Sequence, residues 1–360
     1  MAGTIRAGVV GFGLGGKIFH APFLYAIEGL ELAAVLQRHG NEAAEAYPGV
    51  AIVRTIEEML AVPELSLVVI TTPPSTHFEL ARRCLEAGKH VVIDKPFTPT
   101  SRQAGQLVQI AHARNLVLSA YQNRRWDGDF LTLKKLIAEG ELGRVTSLES
   151  RFERFHPGLR PKPWQEENAP GNGLVHDLGV HLADQALVLF GAPEAVMADV
   201  RYDRDRTAVN DAFAIHLHYP RLRVSLYSSL IACAPGPRFV AHGTEGSYVK
   251  YGLDPQEPAL KAGAKLGGPH WGEEPESSWG KLTKMQNGAA IERTVPTLPG
   301  DYRKYYENVR DAILASTTGG HASLAVPGEQ GWRVIRLLEL AIESSQRRQT
   351  IPCASLDATP

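Results

Sequence analysis

The sequence of 360 residues predicts two domains: an α/β domain with a doubly wound parallel sheet, then an α+β domain with a large open, mainly antiparallel sheet. Strands alternate with helices of roughly 10–14 residues through the first third of the chain, which is typical of βαβ units. A glycine-rich turn lies between the first strand and the first helix. After Tyr121 the strands become longer and alternate apolar with polar residues, as strands of antiparallel sheets do.

The first domain is assigned to residues 1–121, where right-handed crossovers would place helices on both faces of the sheet. We expect strands at Ile5–Val10, Leu30–Leu36, Ala51–Val53, Leu67–Thr71, His90–Ile93 and Val117–Ala120. Helices are expected at Lys17–Glu28, with a bend at His20–Phe23, and at Asn41–Tyr47, Thr55–Leu60, His77–Ala87 and Ser101–Arg114.

The second domain is assigned to residues 122–360, and its C-terminal helix can pack back on the first domain. Strands are expected at Val145–Phe155, Val196–Arg201, Ala212–Tyr219, Arg223–Ile231 and Arg238–His242. Helices are expected at Asp127–Ala138, from Leu174 onward, and at Tyr302–Ala315 and Gly331–Gln346. Pro255–Ile291 has little periodicity and much Gly, Pro and charge, so we interpret it as a long loop or lobe.

The composition indicates a soluble globular protein. Hydrophobic residues make up 44% of the chain, charged residues 21%, and the formal net charge is −1, which does not favour nucleic acid or an anionic membrane as partner. Cys84, Cys233 and Cys353 are far apart, which argues against a disulfide framework or a zinc site. Neither a signal peptide nor an apolar run of about 20 residues is visible. We therefore expect a cytoplasmic location.

Gly11, Gly13 and Gly16 have the spacing G-x-G-x-x-G after a predicted strand and before a predicted helix. In a dinucleotide-binding turn, the first glycine allows the tight turn and the second admits the pyrophosphate to the backbone. The third allows close helix–strand packing. The N-terminus of the following helix would face the phosphates. The alternative interpretation is an ordinary glycine-rich turn.

The end of the second strand favours NADP over NAD. NAD sites usually carry Asp or Glu there to accept a hydrogen bond from the ribose hydroxyl. This chain has Gln37 and Arg38 instead, and an arginine can pair with a 2′-phosphate. NAD remains the alternative cofactor, and Arg38 can equally be a solvated loop residue.

Two further segments follow buried strands, where doubly wound sheets bind their ligands. Thr71–His77 offers hydroxyls and free backbone that suit a nicotinamide ribose, or else forms a helix N-cap. Lys95, between Asp94 and Pro96, would reach into the crevice. The predicted cofactor residues are Gly11, Phe12, Gly13, Gly16, Lys17, Arg38, Thr71, Thr72, Pro73, His77, Asp94 and Lys95.

Asp177 and His181 stand four residues apart in a segment of helical spacing, so they would share one face. The carboxylate could then orient and polarise the imidazole as a general base. A purely structural pair is the alternative. Metal binding by His176, Asp177 and His181 is disfavoured because His176 would project about 100° away from Asp177, and no metal is expected.

The motifs together resemble the Gfo/Idh/MocA family of oxidoreductases over nearly the whole chain. The resemblance rests on Gly11–Gly16, on Asp94-Lys95-Pro96, where the family usually has Glu before Lys-Pro, and on the segment from Gly173 through Asp184. Gly16–Phe23, Tyr121–Asp127 and the stretch His242–Gln256 are similar to the NADP-dependent scyllo-inositol dehydrogenase branch.

The resemblance implies a Rossmann domain that binds NAD(P) and a catalytic set of Lys95, Asp177 and His181, with either Lys95 or His181 as the base. It also implies a homodimer or homotetramer formed through the sheet of the second domain. The expected substrate is a cyclic polyol or sugar. The alternatives are an NADP-linked aldose or dihydrodiol dehydrogenase and a non-catalytic NADP-binding regulator. Candidate substrate contacts are His20, Asn123, Arg124, Arg154, Trp164 and Asn172.

Overall fold

A six-stranded parallel sheet forms the N-terminal half of the protein in the computed structural model, which describes residues 3–317 and 323–357. Its strands are β1 (Ile5–Val10), β2 (Leu30–Leu36), β3 (Ala51–Val53), β4 (Leu65–Ile70), β5 (His90–Ile93) and β6 (Leu118–Ala120). The order β3-β2-β1-β4-β5-β6 confirms the predicted doubly wound topology. The direction of winding reverses between β1 and β4, so a ligand crevice is expected at their carboxyl ends.

The helices of this half are α1 (Ala21–Ala26), α2 (Glu42–Ala46), α3 (Ile56–Leu60), α4 (His77–Glu86) and α5 (Ser101–Ala113). Thr55 and Thr100 cap α3 and α5 by accepting hydrogen bonds from the backbone N–H of Glu58 and Gln103. The predicted helix Lys17–Glu28 is not one continuous α-helix: a π-helix at Gly16–His20 precedes α1, and the change falls within the predicted bend at His20–Phe23. Pro22 has no N–H to donate, which explains why a new helix begins there.

A nine-stranded sheet forms the C-terminal half and confirms the predicted mainly antiparallel class. Its strands are β7 (Val145–Arg151), β8 (Ala195–Arg201), β9 (Ala212–Tyr219), β10 (Leu222–Ser229), β11 (Phe239–Gly243), β12 (Gly246–Lys250), β13 (Gly280–Gln286), β14 (Ala289–Val295) and β15 (Ile351–Pro352). The order is β14-β13-β12-β11-β7-β10-β9-β8-β15, and the pair β7–β10 is parallel.

The helices of this half are α6 (Gly128–Ala138), α7 (Val180–Phe190), α8 (Gln256–Lys261), α9 (Arg303–Thr317) and α10 (Gly328–Arg347). Helix α10 contacts β8 and α7, and it also contacts α5 and β6. It therefore packs across the junction between the two sheets. None of the helices within the described ranges is both long and apolar enough to cross a membrane.

The interpretation of Pro255–Ile291 as a loop is wrong, because this stretch contains α8, β13 and the start of β14. Strands β13 and β14 form a hairpin at the edge of the sheet, and most side chains of β14 are exposed. An exposed strand carries little apolar alternation. The turn Asn287-Gly288, with φ of 51° and 78°, is the sequence signal that marks this hairpin.

Candidate active site

A cavity of about 890 Å³ lies between the carboxyl ends of the parallel sheet, the segment 154–181 that leads into α7, and α8. Most of the predicted site residues line it. These are Gly11, Phe12, Gly13, Arg38, Thr71, Thr72, Pro73, Asp94, Lys95, Asn123, Arg124, Arg154, Trp164, Asn172, Asp177 and His181. Gly16, Lys17, His20 and His77 are not among the lining residues.

The glycine turn is closely packed at Gly11 and Gly16 and open at Gly13. Gly11 has a φ of +102°, and its carbonyl oxygen accepts a hydrogen bond of 2.8 Å from Thr71 Oγ1. A Cβ at Gly16 would lie 2.2 Å from that carbonyl oxygen, so no larger residue fits. A Cβ at Gly13 would meet no atom within 4 Å. The turn therefore leaves space where a phosphate can approach the backbone.

Two arginines line the cavity beyond β2 and β3. Arg38 is exposed, and its guanidinium makes no hydrogen bond or ion pair within residues 3–317 and 323–357. Arg54 donates hydrogen bonds to the carbonyl oxygens of Gln37 and of Gly40, the latter at 2.8 Å, and to Asn41 Oδ1 at 2.7 Å. The sequence interpretation missed Arg54, although it follows a strand at the ligand-binding edge.

Lys17 packs against the glycine turn, and His77 forms hydrogen bonds to the loops at Thr72 and Pro96; neither side chain lines the cavity. Lys17 Nζ lies 5.4 Å from the centroid of the Phe12 ring and 3.9 Å from Glu42 Oε1. The His77 ring nitrogens lie 2.9 Å from the carbonyl oxygen of Pro96 and 2.7 Å from that of Thr72. Burial lowers the pKa of His77. His77 therefore joins the two loops that line the cavity and lies behind its surface.

His20 does not reach the cavity, contrary to its prediction as a substrate contact. The side chain is fully buried, with Nδ1 2.5 Å from Tyr306 Oη and Nε2 3.5 Å from Asp94 Oδ2. Its ring centroid lies 4.2 Å from that of Tyr121, with the two ring planes tilted by 51°, and Tyr121 does line the cavity. The π-helix at the start of this segment turns the imidazole inward. Burial raises the pKa of Asp94, but the neighbouring His20 and Lys95 charges bring it below its ordinary value.

Lys95 and Asp177 form the central ion pair of the cavity. Lys95 Nζ lies 2.5 Å from Asp177 Oδ1 and 3.1 Å from the carbonyl oxygen of Asp177. Arg160 Nη1 lies 3.5 Å from Asp177 Oδ2. Burial would raise the pKa of Asp177, but Lys95 and Arg160 bring it down to about 2. The carboxylate is therefore ionised throughout the neutral range.

His181 is oriented by Gln122, and the predicted Asp177–His181 contact is wrong. His181 Nδ1 lies 3.1 Å from Gln122 Oε1, whereas the Asp177 carboxylate faces Lys95 and Arg160. Residues Val175–Gly179 form a π-helix, whose hydrogen bonds span five residues and displace the four-residue spacing. Burial and the Arg124 and Lys95 charges hold the pKa of His181 well below 6.5.

The contact with Gln122 Oε1 determines which ring nitrogen of the neutral His181 carries the proton. The amide oxygen of Gln122 can only accept, so Nδ1 carries the proton and Nε2 keeps its lone pair. Gln122 was not predicted to be a site residue, but it follows β6 at the same edge of the sheet as Lys95 follows β5.

Two of the predicted substrate contacts, Arg124 and Asn172, are themselves hydrogen-bonded to other residues of the protein. Arg124 is buried, lies over Phe152 at 4.6 Å, and donates to Glu257 and to Asp127, the latter at 3.3 Å. The Asn172 amide donates to the carbonyl oxygens of Trp164 at 2.6 Å and Glu167 at 3.1 Å, which fixes the loop over the cavity. Further lining residues that the sequence interpretation missed are Arg160, Lys162, Glu257 and Lys261.

Comparisons with known proteins show the family of this chain. Residues 5–122 match the model of an oxidoreductase family described as an NAD-binding Rossmann fold, and residues 134–353 match the same family's C-terminal alpha/beta domain. The uncharacterized oxidoreductase YdgJ of Escherichia coli is 43% identical, with 98% of this chain and 99% of that protein covered.

The scyllo-inositol 2-dehydrogenase (NADP(+)) IolW of Bacillus subtilis is 38% identical, with 97% of this chain and 96% of that protein covered. The structure of the oxidoreductase yvaA from Bacillus subtilis superposes with a TM-score of 0.93 at 38% identity, covering 98% of this chain and 99% of that one.

Proposed function

The chain belongs to the Gfo/Idh/MocA family of oxidoreductases with an NAD-binding Rossmann domain, and from this premise we propose that it is an NADP-dependent dehydrogenase acting on a ring hydroxyl of a cyclic polyol or sugar. One observation carries the proposal: Lys95, Asp177 and His181 line the same cavity as the glycine turn. The NADP-dependent scyllo-inositol dehydrogenase IolW, similar over nearly the full length, supports the choice of substrate class.

The residues of the cavity fit a dinucleotide. The turn from Gly11 to Gly16 would hold the pyrophosphate, because Gly13 leaves its backbone open. The hydroxyls of Thr71 and Thr72 would line the nicotinamide ribose. The bound nicotinamide supplies the hydride acceptor, which no side chain can provide.

Arg38 and Arg54 support NADP as the cofactor. Both line the cavity beyond the end of β2, and Arg38 has no carboxylate partner in the described parts of the chain. A 2′-phosphate carries negative charge and three acceptor oxygens, which a free guanidinium recognises well. The absence of an acidic residue at this position removes the group that would repel the phosphate.

His181 acts as the base in this proposal. Its Nε2 lone pair is available because Nδ1–H is donated to Gln122, and the low pKa keeps the imidazole neutral. As the carbinol carbon of the substrate gives up its hydride, the proton of its hydroxyl passes to His181 Nε2. Lys95 stabilises the oxygen as negative charge develops, and Asp177 holds the ammonium group in place.

The experiment is to measure NADP reduction by absorbance with scyllo-inositol, myo-inositol and a panel of aldoses, together with cofactor binding by fluorescence. We expect NADP-dependent turnover of at least one cyclic polyol. Binding of NADP without turnover of any substrate would contradict the proposal and favour a regulator. Turnover of open-chain aldehydes or dihydrodiols alone would move the assignment to another dehydrogenase class.

We also propose that the protein self-associates through the sheet of its C-terminal half, as a homodimer or homotetramer. Met197 on β8 and Met285 on β13 are exposed apolar residues of this sheet, and such residues support an interface. Light scattering after size exclusion tests this, since a monomeric mass would contradict it.

A further inference from the structure

A wall of basic residues lines the cavity around Lys95. The cations of this basic wall are Arg124, Arg154, Arg160, Lys162 and Lys261. The carboxylates that line the same part of the cavity are Asp94, Asp177 and Glu257. Positive charge therefore exceeds negative charge at the end of the cavity where the substrate would react, although the chain as a whole has a formal net charge of −1.

Glu257 cannot neutralise the cations that surround it. Its carboxylate accepts a hydrogen bond from Arg124, lies 2.5 Å from Lys261 Nζ, and lies 3.7 Å from Arg154 Nη2. Burial would raise the pKa of Glu257, but Arg124 and Lys261 bring it to about 2. The Glu257 carboxylate thus pairs with three cations, and Arg154 is the most distant of them.

Arg154 and Lys162 have unused hydrogen-bond donors. Across residues 3–317 and 323–357, neither the Arg154 guanidinium nor the Lys162 ammonium group donates a hydrogen bond to protein, and Lys162 has no ion-pair partner. The Arg154 side chain is 32% exposed and lies over the Phe152 ring at 5.1 Å. Its flat guanidinium is therefore held in place while its N–H groups remain available to a ligand.

Arg154 lines the same cavity as the reacting groups Lys95 and His181. Burial raises the pKa of Asp177, and the charges of Lys95, Arg160 and then Arg154 lower it. Burial lowers the pKa of His181, and the charges of Arg124, Lys95 and then Arg154 lower it further. A small molecule whose hydroxyl faces His181 would therefore also present a second group to Arg154.

We propose that the preferred substrate is a cyclic polyol or sugar that carries an anionic substituent, a carboxylate or a phosphate, bound by Arg154 and Lys162. This inference rests on the proposed function, because it extends the substrate that His181 and Lys95 act on. A carboxylate or phosphate offers acceptor oxygens in the geometry that a guanidinium fork matches. The developing alkoxide needs only Lys95, and a 2′-phosphate of the cofactor would be held by Arg38 and Arg54, so neither accounts for the basic wall.

The test compares D-glucose, D-glucuronate and D-glucose 6-phosphate, which differ only at C6. Calorimetry in the presence of NADP gives the Kd of each, and steady-state kinetics gives each KM. We expect at least one anionic sugar to bind tenfold or more tightly than glucose, and its Kd to rise with ionic strength. Comparison of D-glucuronate with D-glucose 6-phosphate shows whether the site prefers a carboxylate or a phosphate.

The variant Arg154→Gln should raise the Kd of the preferred anionic sugar about tenfold and change the Kd of glucose less than about threefold. Arg347→Gln, which removes an exposed arginine of α10, is the matched control and should change neither. Equal losses for charged and neutral sugars, or wild-type preference for glucose, would overturn the inference. Absence of turnover with all polyols and sugars would overturn the proposed function instead, while the binding constants still decide the charge preference.

Discussion

Lys95 and Asp177 lie 82 positions apart in the sequence, yet Lys95 Nζ is 2.5 Å from Asp177 Oδ1. Lys95 follows a strand of the parallel sheet, and Asp177 belongs to the π-helix before α7 in the other half of the molecule. The ion pair therefore connects the two halves across the cavity. An ammonium group held in this way is prearranged to stabilise charge on a substrate oxygen, with little reorganisation during the reaction.

The pH dependence of kcat/KM tests the state of His181. Because burial and nearby cations hold its pKa well below 6.5, the neutral base persists as the pH falls through 6.5. We expect kcat/KM to remain level down to pH 6.5 and to decline only at lower pH, where the imidazolium forms. The profile should be measured with saturating NADP and the best substrate. A decline centred at pH 6.5 or above would show that His181 is not the titrating base.

Gly13 and Gly16 should respond differently to alanine. Gly13→Ala places a methyl group in open space, so we expect unchanged thermal stability but a Kd for NADP raised tenfold or more. Gly16→Ala would bring Cβ to 2.2 Å from the Gly11 carbonyl oxygen, so both stability and NADP binding should fall. Thermal unfolding and fluorescence titration of both variants provide the measurements. An unchanged Kd in Gly13→Ala would argue against a phosphate at this turn.

Arg38 should set the cofactor preference. Arg38→Ala removes the free guanidinium, so we expect the kcat/KM for NADP to fall by tenfold or more while the value for NAD changes little. Arg82→Ala, which removes an exposed arginine of α4, is the control. The ratio of kcat/KM for NADP to that for NAD is the readout. A ratio that survives the loss of Arg38 would mean that other groups recognise the ribose.

His90 should make folding sensitive to acid. Its Nδ1 accepts a hydrogen bond of 2.9 Å from the Val117 N–H, and burial lowers its pKa to about 4. The folded state then binds fewer protons than the unfolded state between pH 6.5 and 4, so stability falls as the pH falls through that range. The expected contribution is about 1.4 kcal/mol per pH unit. Urea unfolding of wild type and His90→Asn at several pH values measures it, and parallel pH dependences would contradict it.

The sequence predicted the part of the fold that has strong local signals. The buried strands from Ile5–Val10 to His90–Ile93 are short and mostly apolar, and the glycine turn constrains its own backbone. The β13–β14 hairpin was missed because its strands are exposed and lack apolar alternation. The Asn287-Gly288 turn was the local signal for that hairpin.

The sequence predicted which residues line the site more accurately than it predicted which of them contact one another. Strand ends indicated Lys95 and Arg38, and the same rule applied to β3 and β6 would have indicated Arg54 and Gln122. The partner of Asp177 could not be deduced, since Lys95 comes from the other half of the molecule. Regular helical spacing also assigned His181 the wrong neighbour, because His181 follows a π-helical turn that the local sequence does not specify.

The most direct test of the central claim is the turnover of Lys95→Ala and His181→Ala with the best cyclic polyol, measured beside their Kd for NADP. We predict that kcat falls by about 10²-fold or more in each variant, since each loses a group that acts on the reacting hydroxyl. The Kd for NADP should stay within about threefold of wild type in His181→Ala, which shows that the cavity is intact. Near wild-type turnover in both variants, with the polyol still oxidised, would contradict the account.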